Sequence, residues 1–139
     1  MIQLHNQQKR YPIQVTKLQK LADQIPVLLN KTWPRDVTHV EVNLVTSAVS
    51  ARVHREFFQD PTPTDVMSFM HGELIICPAV AAKQRHLENL SLSDELLTYI
   101  IHGLLHLCGW DDQTDQDFSA MQVEQTRIRQ MLLSSKPKR

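Results

Sequence analysis

The stretch His102-Gly103-Leu104-Leu105-His106-Leu107-Cys108-Gly109-Trp110-Asp111-Asp112 closes a segment whose apolar residues recur at three- and four-residue spacing. This period predicts an amphipathic helix that starts after Ser93, which we expect to be its N-cap because two acidic residues follow it. The core-facing stripe consists of Leu96, Leu97, Ile100, Ile101, Leu104, Leu105 and Cys108. A rotation of about 100° per residue puts His102 and His106 on nearly the opposite side, in line with Glu95 and Tyr99.

The two histidines have a spacing that suits metal binding. Residues four apart on a helix have Cβ atoms about 5–6 Å from each other, so His102 and His106 can converge on one ion. Gly109 favours a helix end with positive φ, after which Asp112 can reach the same ion. Two histidines and one carboxylate leave a position open on tetrahedral Zn²⁺, as in catalytic zinc sites. We expect Asp112 to be the third ligand and Asp111 to be a turn residue or an outer partner.

A histidine pair at this spacing is by itself more often a solvated helix face than a metal site. Here the pair is followed by a helix-ending glycine and by two acids within one short turn. This context favours the metal site.

The same stretch resembles the metal-binding signature of the YbeY family, bacterial endoribonucleases of ribosomal RNA maturation. The shared pattern is H-G-x-L-H-L-x-G-x-D followed by His or Asp. Other segments match in family order. Residues 63–69 resemble its P-T-D-V-L-S-F segment, residues 72–76 resemble its G-D-I-x-I strand, and Glu95-Leu96 matches its acid-Leu pair. These motifs cover about residues 50–112 and together are highly specific.

Two departures from the family pattern affect the expected site. Most members have a third histidine where this chain has Asp112, so the resemblance implies a ligand set of His102, His106 and Asp112. An anionic ligand lowers the net charge of the ion and should make its bound water less acidic. Many members also have an arginine five residues before the proline of P-T-D-V, where this chain has Phe58. Arg55, one turn earlier on a predicted helix, is the candidate to replace it.

The resemblance implies metal-assisted hydrolysis of single-stranded RNA in ribosomal RNA processing and ribosome quality control. It implies one Zn²⁺ per chain, with His102 and His106 as catalytic residues, and we expect Arg55 to be catalytic in place of the missing family arginine. RNA is the expected partner, with ribosomal proteins or assembly GTPases as further partners, and neither DNA nor a membrane is expected. Thr64, Asp65 and Ser68 are expected either to line the cleft or to make turn and strand-capping hydrogen bonds. Glu95 and Tyr99 either orient a ligand or form a simple polar helix face.

Two alternative functions compete with this hypothesis. The spacing H-x-x-x-H-x-x-G-x-x-[H/D] is also that of the metzincin zinc proteases. Those enzymes place a general-base glutamate directly after the first histidine, where this chain has Gly103. The second alternative is a non-catalytic ribosome-assembly factor that uses the metal as a structural clip.

The composition is ordinary for a soluble globular protein. The chain has 139 residues, of which 42% are apolar and 22% charged, and its formal net charge is zero. We expect one domain over residues 1–139. Contacts with RNA must then be local, and the candidate basic groups are Lys9, Arg10, Arg52, Arg55, Lys83, Arg85 and residues 136–139. Two cysteines without C-x-x-C spacing and the absence of a signal peptide or bilayer-spanning run indicate the cytoplasm.

The rest of the chain predicts a mixed α/β fold. Strands are expected at residues 2–5, 37–45, 66–70 and 74–77, with a turn at His71-Gly72 between the last two. Helices are expected at residues 13–33 with a break near Pro26, at 47–58, at 78–88 and after a Thr114 cap. Phe118, Met121, Ile128, Met131 and Leu132 are expected to pack that last helix onto the core. We therefore predict an α/β (α+β) protein with a small mixed β-sheet of about four strands covered by helices.

Overall fold

A four-stranded mixed sheet forms the centre of the protein, in a computed structural model that describes residues 1–29, 33–87 and 89–134. The strands are β1 (Ile2–Asn6), β2 (Val40–Leu44), β3 (Val66–Phe69) and β4 (Glu73–Ile76). The spatial order is β1-β2-β4-β3, in which β1, β2 and β4 are parallel and β3 is antiparallel to β4. The predicted sheet, including the turn between β3 and β4, is confirmed.

Six α-helices accompany the sheet in the described ranges. They are α1 (Val15–Asp23), α2 (Ile25–Leu28), α3 (Ser47–Phe58), α4 (Pro78–Gln84), α5 (Leu92–Leu107) and α6 (Asp115–Ser134). The predicted break near Pro26 is confirmed, because α1 ends at Asp23 and Pro26 lies in the first turn of α2. That segment ends at Leu28, earlier than the predicted Trp33. Glu88 and the basic tail at 136–139 lie outside the described residues.

Alternation along the strands decides which face of the sheet is covered. Val40, Val42 and Leu44 of β2 are buried, whereas Glu41 and Asn43 between them are not. The buried side chains join α1, α5 and α6 in the main core. On the opposite face, Val45, Met67 and Ile75 form a second, smaller core together with Val49, Val53 and Phe69, of which the two valines belong to α3. The sheet therefore packs against a large core on one side and a smaller core on the other.

Helix α5 is the central helix, and its predicted apolar stripe is buried along its whole length. The predicted N-cap was wrong by two residues. Ser91 has an extended backbone and its Oγ accepts a hydrogen bond from the backbone N–H of Asp94 at 3.1 Å, so the helix begins at Leu92 and Ser93 lies inside its first turn. Leu92 packs partly against the main core, which explains why the helix extends that far. Helix α5 ends at Leu107, and Gly109 follows with a φ of 97°.

Helix α6 packs on α5 with a narrower apolar face than expected. Met121, Ile128 and Leu132 are buried as predicted, but Phe118 and Met131 are 49% and 44% exposed. Gln125 takes the intervening position in the buried stripe, so the face that meets the core is partly polar. Thr114 caps α6 as predicted, since its Oγ1 accepts from the backbone N–H of Asp117 at 3.0 Å. Among the described residues, no helix is long and apolar enough to span a bilayer.

Candidate metal centre and the adjoining cavities

The side chains of His102, His106 and Asp112 converge on one point. The two Nε2 atoms are 3.1 Å apart, and Asp112 Oδ2 lies 3.7 Å from His102 Nε2 and 3.8 Å from His106 Nε2. Tetrahedral coordination with bonds of about 2.0–2.2 Å separates ligand atoms by roughly 3.3–3.6 Å. The three atoms therefore have the spacing of a ligand set around one divalent ion. We call these three residues the triad.

Hydrogen bonds to the outer ring nitrogens fix the orientation of both imidazoles. His102 Nδ1 donates to Oε1 of Gln125 at 2.8 Å, and His106 Nδ1 donates to the carbonyl oxygen of Trp110 at 3.0 Å. When these rings are neutral, each Nε2 then carries a lone pair, and the two lone pairs face each other across 3.1 Å. Such an arrangement is repulsive unless a cation lies between the nitrogens. The donor set and its orientation thus fit a metal ion.

The short segment after α5 positions both the orienting carbonyl and the third carboxylate. The backbone N–H of Trp110 donates to the carbonyl oxygen of Leu105 at 3.0 Å, which folds the chain back over the end of the helix. Gly109 takes the left-handed conformation needed at this bend. Asp111 Oδ1 accepts from the backbone N–H of Gln113 at 3.4 Å, so Asp111 serves the turn and Asp112 faces the histidines.

Burial favours the neutral form of His102. Burial lowers the pKa of His102 below its ordinary value of 6.5, and the hydrogen bond from its ring to Gln125 opposes this effect only in part. A neutral imidazole is the form that binds a metal ion. Tyr99 remains a neutral phenol, because burial raises its pKa well above the ordinary value of 10, and its hydroxyl donates to Oε1 of Gln84 at 2.6 Å.

Two cavities adjoin the triad and meet at His106 and Val66, which line both. The larger cavity has a volume of about 540 Å³ and is lined by all three triad residues. Its wall also includes Asp65, Glu95, Thr98, Tyr99, Phe118, Gln122 and Gln125. The smaller has a volume of about 340 Å³ and lies toward α3, with His54, Phe58, Thr64, Ser68 and Met70 in its wall. We call them the triad cavity and the α3 cavity.

The residues of the 63–69 segment both line the cavities and make local hydrogen bonds, the two roles between which the sequence could not decide. Thr64 and Ser68 line the α3 cavity, and Asp65 lines the triad cavity. The same side chains make local hydrogen bonds. Asp65 Oδ1 accepts from the backbone N–H of Val66 at 2.7 Å, and Ser68 Oγ donates to the carbonyl oxygen of Gly103 at 3.3 Å. The segment therefore both shapes the cavity wall and ties β3 to α5.

Arg55 is exposed on α3 and lies outside the walls of both cavities. The neighbouring positions that reach the α3 cavity are His54 and Phe58. His54 Nδ1 donates to the carbonyl oxygen of Thr62 at 2.8 Å, which fixes this ring beside the cavity. The catalytic role expected for Arg55 stays a prediction.

Sequence reasoning missed the groups that orient the histidines. Glu95 and Tyr99 lie on the histidine face, as expected, but the Nδ1 partners are Gln125 and the Trp110 carbonyl. A signal for Gln125 was present, since it is a polar residue inside the apolar stripe of α6. The Trp110 carbonyl belongs to the backbone, so no residue pattern could point to it.

Comparisons with known proteins agree with these observations. The model of the family described as Endoribonuclease YbeY matches residues 3–133. Endoribonuclease YbeY of Chlamydia trachomatis serovar D is 32% identical, with 88% of this chain and 81% of that protein covered. Endoribonuclease YbeY of Protochlamydia amoebophila (strain UWE25) is 33% identical, with 63% of this chain and 66% of that protein covered.

A solved structure is similar over nearly the whole chain. The solution structure of TM1509 from Thermotoga maritima superposes with a TM-score of 0.68 at 25% identity and covers 96% of this chain and 90% of that one. The fold and the family match therefore extend well beyond the motifs at residues 50–112. The chain belongs to the Endoribonuclease YbeY family.

Proposed function

We propose that this chain is a metal-dependent endoribonuclease that hydrolyses phosphodiester bonds of single-stranded RNA during ribosomal RNA maturation and quality control. The observation that carries the proposal is the convergence of His102, His106 and Asp112 at the junction of two cavities. Membership of the Endoribonuclease YbeY family supplies the substrate class. Ribosomal proteins and assembly GTPases are proposed as further partners.

The triad is proposed as the ligand set for one Zn²⁺. When bound, the ion would supply Lewis acidity toward a phosphoryl oxygen and toward water. Gln125 and the Trp110 carbonyl hold the two imidazoles so that both Nε2 atoms stay directed at the site. Arg55 is proposed to offset negative charge on the phosphate from the outer side of α3. The reducing bacterial cytoplasm is the proposed compartment, in keeping with two buried cysteines that are not joined in a disulfide.

Position 103 has no room for the glutamate that serves as general base in the metzincin proteases. Position 103 faces β3 and β4, and a Cβ atom on Gly103 would lie 2.8 Å from the methyl groups of Leu74. A glutamate there would be directed into the core and away from the triad. An open cavity of about 540 Å³ beside the triad also supports a catalytic role over a purely structural clip.

Cleavage of an unstructured oligoribonucleotide by zinc-loaded protein tests the proposal. We expect cleavage by the wild type, loss of cleavage with a chelator, and loss with His106→Ala. His71→Ala is the matched control, because the His71 side chain is 70% exposed and lies outside both cavities. Cleavage by His106→Ala at the wild-type rate would overturn the proposed site. Cleavage of casein without cleavage of RNA would favour the protease.

A further inference from the structure

Three of the four phenylalanines in the chain are exposed to solvent. Phe57, Phe58 and Phe118 are 62%, 53% and 49% exposed, respectively. Two of them face the candidate site, because Phe58 lines the α3 cavity and Phe118 lines the triad cavity. Phe57 lines neither cavity. Since His106 belongs to both cavity walls, an open aromatic ring lies on each side of the triad.

The Phe58 ring is held in place by its neighbours. Its centroid lies 5.6 Å from that of His54 and 6.4 Å from that of Phe69. Phe69 is in turn packed against the second core formed by Val45, Met67 and Ile75. A ring fixed in this way, with half of its surface open, loses little conformational freedom when a flat ligand covers it.

The polar groups beside Phe58 already have partners within the protein. Ser68 Oγ donates to the Gly103 carbonyl oxygen at 3.3 Å, and His54 Nδ1 donates to the carbonyl oxygen of Thr62 at 2.8 Å. The large apolar groups that this cavity leaves open are the Phe58 ring and the Met70 side chain, and of these two only Phe58 has a π-face. Its volume of about 340 Å³ is at the lower end of the range for small-molecule sites and suits one planar group.

The position of Phe58 is also a departure from the family pattern, which often has an arginine there. A phenyl ring replaces a charge that would attract phosphate with a π-surface that attracts a nucleobase. The chain has a formal net charge of zero, so it lacks the general positive field that many RNA-binding proteins use. Stacking is the other large source of affinity for single strands, whose bases are free to leave the helix stack.

We propose that Phe58 and Phe118 are stacking positions for two nucleobases, one on each side of the phosphodiester held at the triad. The proposal rests on the proposed endoribonuclease function and names how its substrate is bound. It accounts for a preference for single strands, because paired bases cannot present their faces to the two rings. It also predicts little base specificity, since every base has a π-face.

Single substitutions with a matched control test the two positions. Zinc-loaded protein is titrated against a non-cleavable single-stranded oligonucleotide that carries 2-aminopurine, whose fluorescence falls on stacking. Phe58→Ala and Phe118→Ala should each weaken binding roughly 5- to 150-fold, the effect of losing one base–aromatic stack. Phe57→Ala, the same change at a more exposed ring outside both cavities, should remain within twofold of the wild type.

Conservative variants separate stacking from apolar packing. Phe58→Tyr and Phe118→Tyr keep the ring and should keep both the affinity and the fluorescence quenching. Phe58→Leu and Phe118→Leu keep an apolar side chain without a π-face and should lose the quenching. Equal quenching in the leucine variants would overturn the proposal.

Abasic substrates identify which base meets which ring. An oligonucleotide without the base on one side of the scissile phosphate should bind the wild type about as weakly as the intact strand binds one alanine variant. That same variant should be insensitive to the missing base. If removal of either base weakens the wild type and the alanine variants by the same factor, the rings do not contact the bases and the proposal fails.

The outcome is distinguishable from a failure of the proposed function. If quenching depends on Phe58 and Phe118 but the protein never cleaves RNA, the stacking positions are supported and the proposed nuclease function is rejected. Normal cleavage and binding by both alanine variants would keep the nuclease and overturn the stacking positions, and would leave the exposed rings to a protein partner.

Discussion

At the scale of single residues, Asp111 and Asp112 are adjacent carboxylates with different surroundings. Asp112 Oδ2 lies within 3.8 Å of both histidine Nε2 atoms, whereas Asp111 accepts a backbone hydrogen bond inside the turn. We expect Asp112→Ala to weaken Zn²⁺ binding by more than the 10–100-fold that follows removal of an outer partner. Asp111→Ala, the matched control, should change the affinity only a few-fold. Competition with a chromophoric chelator measures both, and equal losses would refute the assignment.

Gln125 orients a proposed ligand, a role that the sequence alone does not reveal. It is 5% exposed, and its Oε1 accepts the Nδ1 proton of His102, which leaves His102 Nε2 free for the ion. Gln125→Leu should therefore lower the affinity for Zn²⁺ about 10- to 100-fold while the protein stays folded. Gln122→Leu changes another glutamine of the same cavity wall and should leave the affinity unchanged. Wild-type affinity in Gln125→Leu would show that this hydrogen bond does not orient the ligand.

The three proposed ligands could be named from the sequence and their orienting partners could not, for a physical reason. The i, i+4 spacing of His102 and His106 and the glycine bend before Asp112 are local features, which the sequence displays directly. Gln125 reaches the site from α6, and its contact depends on how two helices cross. Only the packed structure fixes that crossing.

At the scale of elements, the start of α5 gives a direct test of capping. Ser91 Oγ accepts from the backbone N–H of Asp94, whereas Ser93 is exposed within the first turn. Ser91→Ala should lower the free energy of unfolding by about 1 kcal/mol, because one helix N–H loses its partner. Ser93→Ala should be nearly neutral. Urea denaturation of both variants measures the difference. A larger loss of unfolding free energy in Ser93→Ala would show that Ser93 is the N-cap.

The sequence could not separate these two serines, because both precede the same pair of acids. The choice depends on Leu92, which packs partly against the main core and so extends the helix by two residues. Strands β1, β3 and β4 agree with the prediction within one residue at each end, whereas β2 begins at Val40, three residues later than predicted. Phe118 was expected in the core, but it lies in the first turn of α6 at the wall of the triad cavity and is 49% exposed.

Two glycines at bends with positive φ allow the cost of backbone strain to be compared with the cost of steric overlap. Gly72 and Gly109 have φ values of 112° and 97°. A Cβ atom on Gly72 would lie 2.5 Å from the carbonyl oxygen of His39, whereas one on Gly109 would meet nothing within 4 Å. Gly109→Ala should therefore lower the free energy of unfolding by about 1–2 kcal/mol through strain alone. Gly72→Ala should lower it further, and similar losses in thermal unfolding of the metal-free variants would contradict the overlap.

At the scale of the whole molecule, the fold and the triad are built from different residues. The main core joins α1, α5 and α6 to the sheet and includes none of the three proposed ligands. The ion would therefore bind to a protein that is already folded, which differs from small zinc modules that unfold without metal. This separation is what a catalytic centre needs, because its ligands can keep an open position without weakening the core.

Thermal unfolding with and without metal tests this separation for the whole protein. A ligand that binds only the folded state at 100 times its Kd adds about 2.7 kcal/mol of stability, which for a protein of this size raises the Tm by roughly 10 °C. We expect that shift with Zn²⁺ for the wild type, its complete reversal by a chelator, and a single cooperative transition in the metal-free protein. Asp112→Ala should show a much smaller shift at the same Zn²⁺ concentration, because the ion loses its only carboxylate ligand in the triad. A chelator that abolishes the transition itself would make the metal part of the fold, and the structural-clip alternative would then replace the catalytic one.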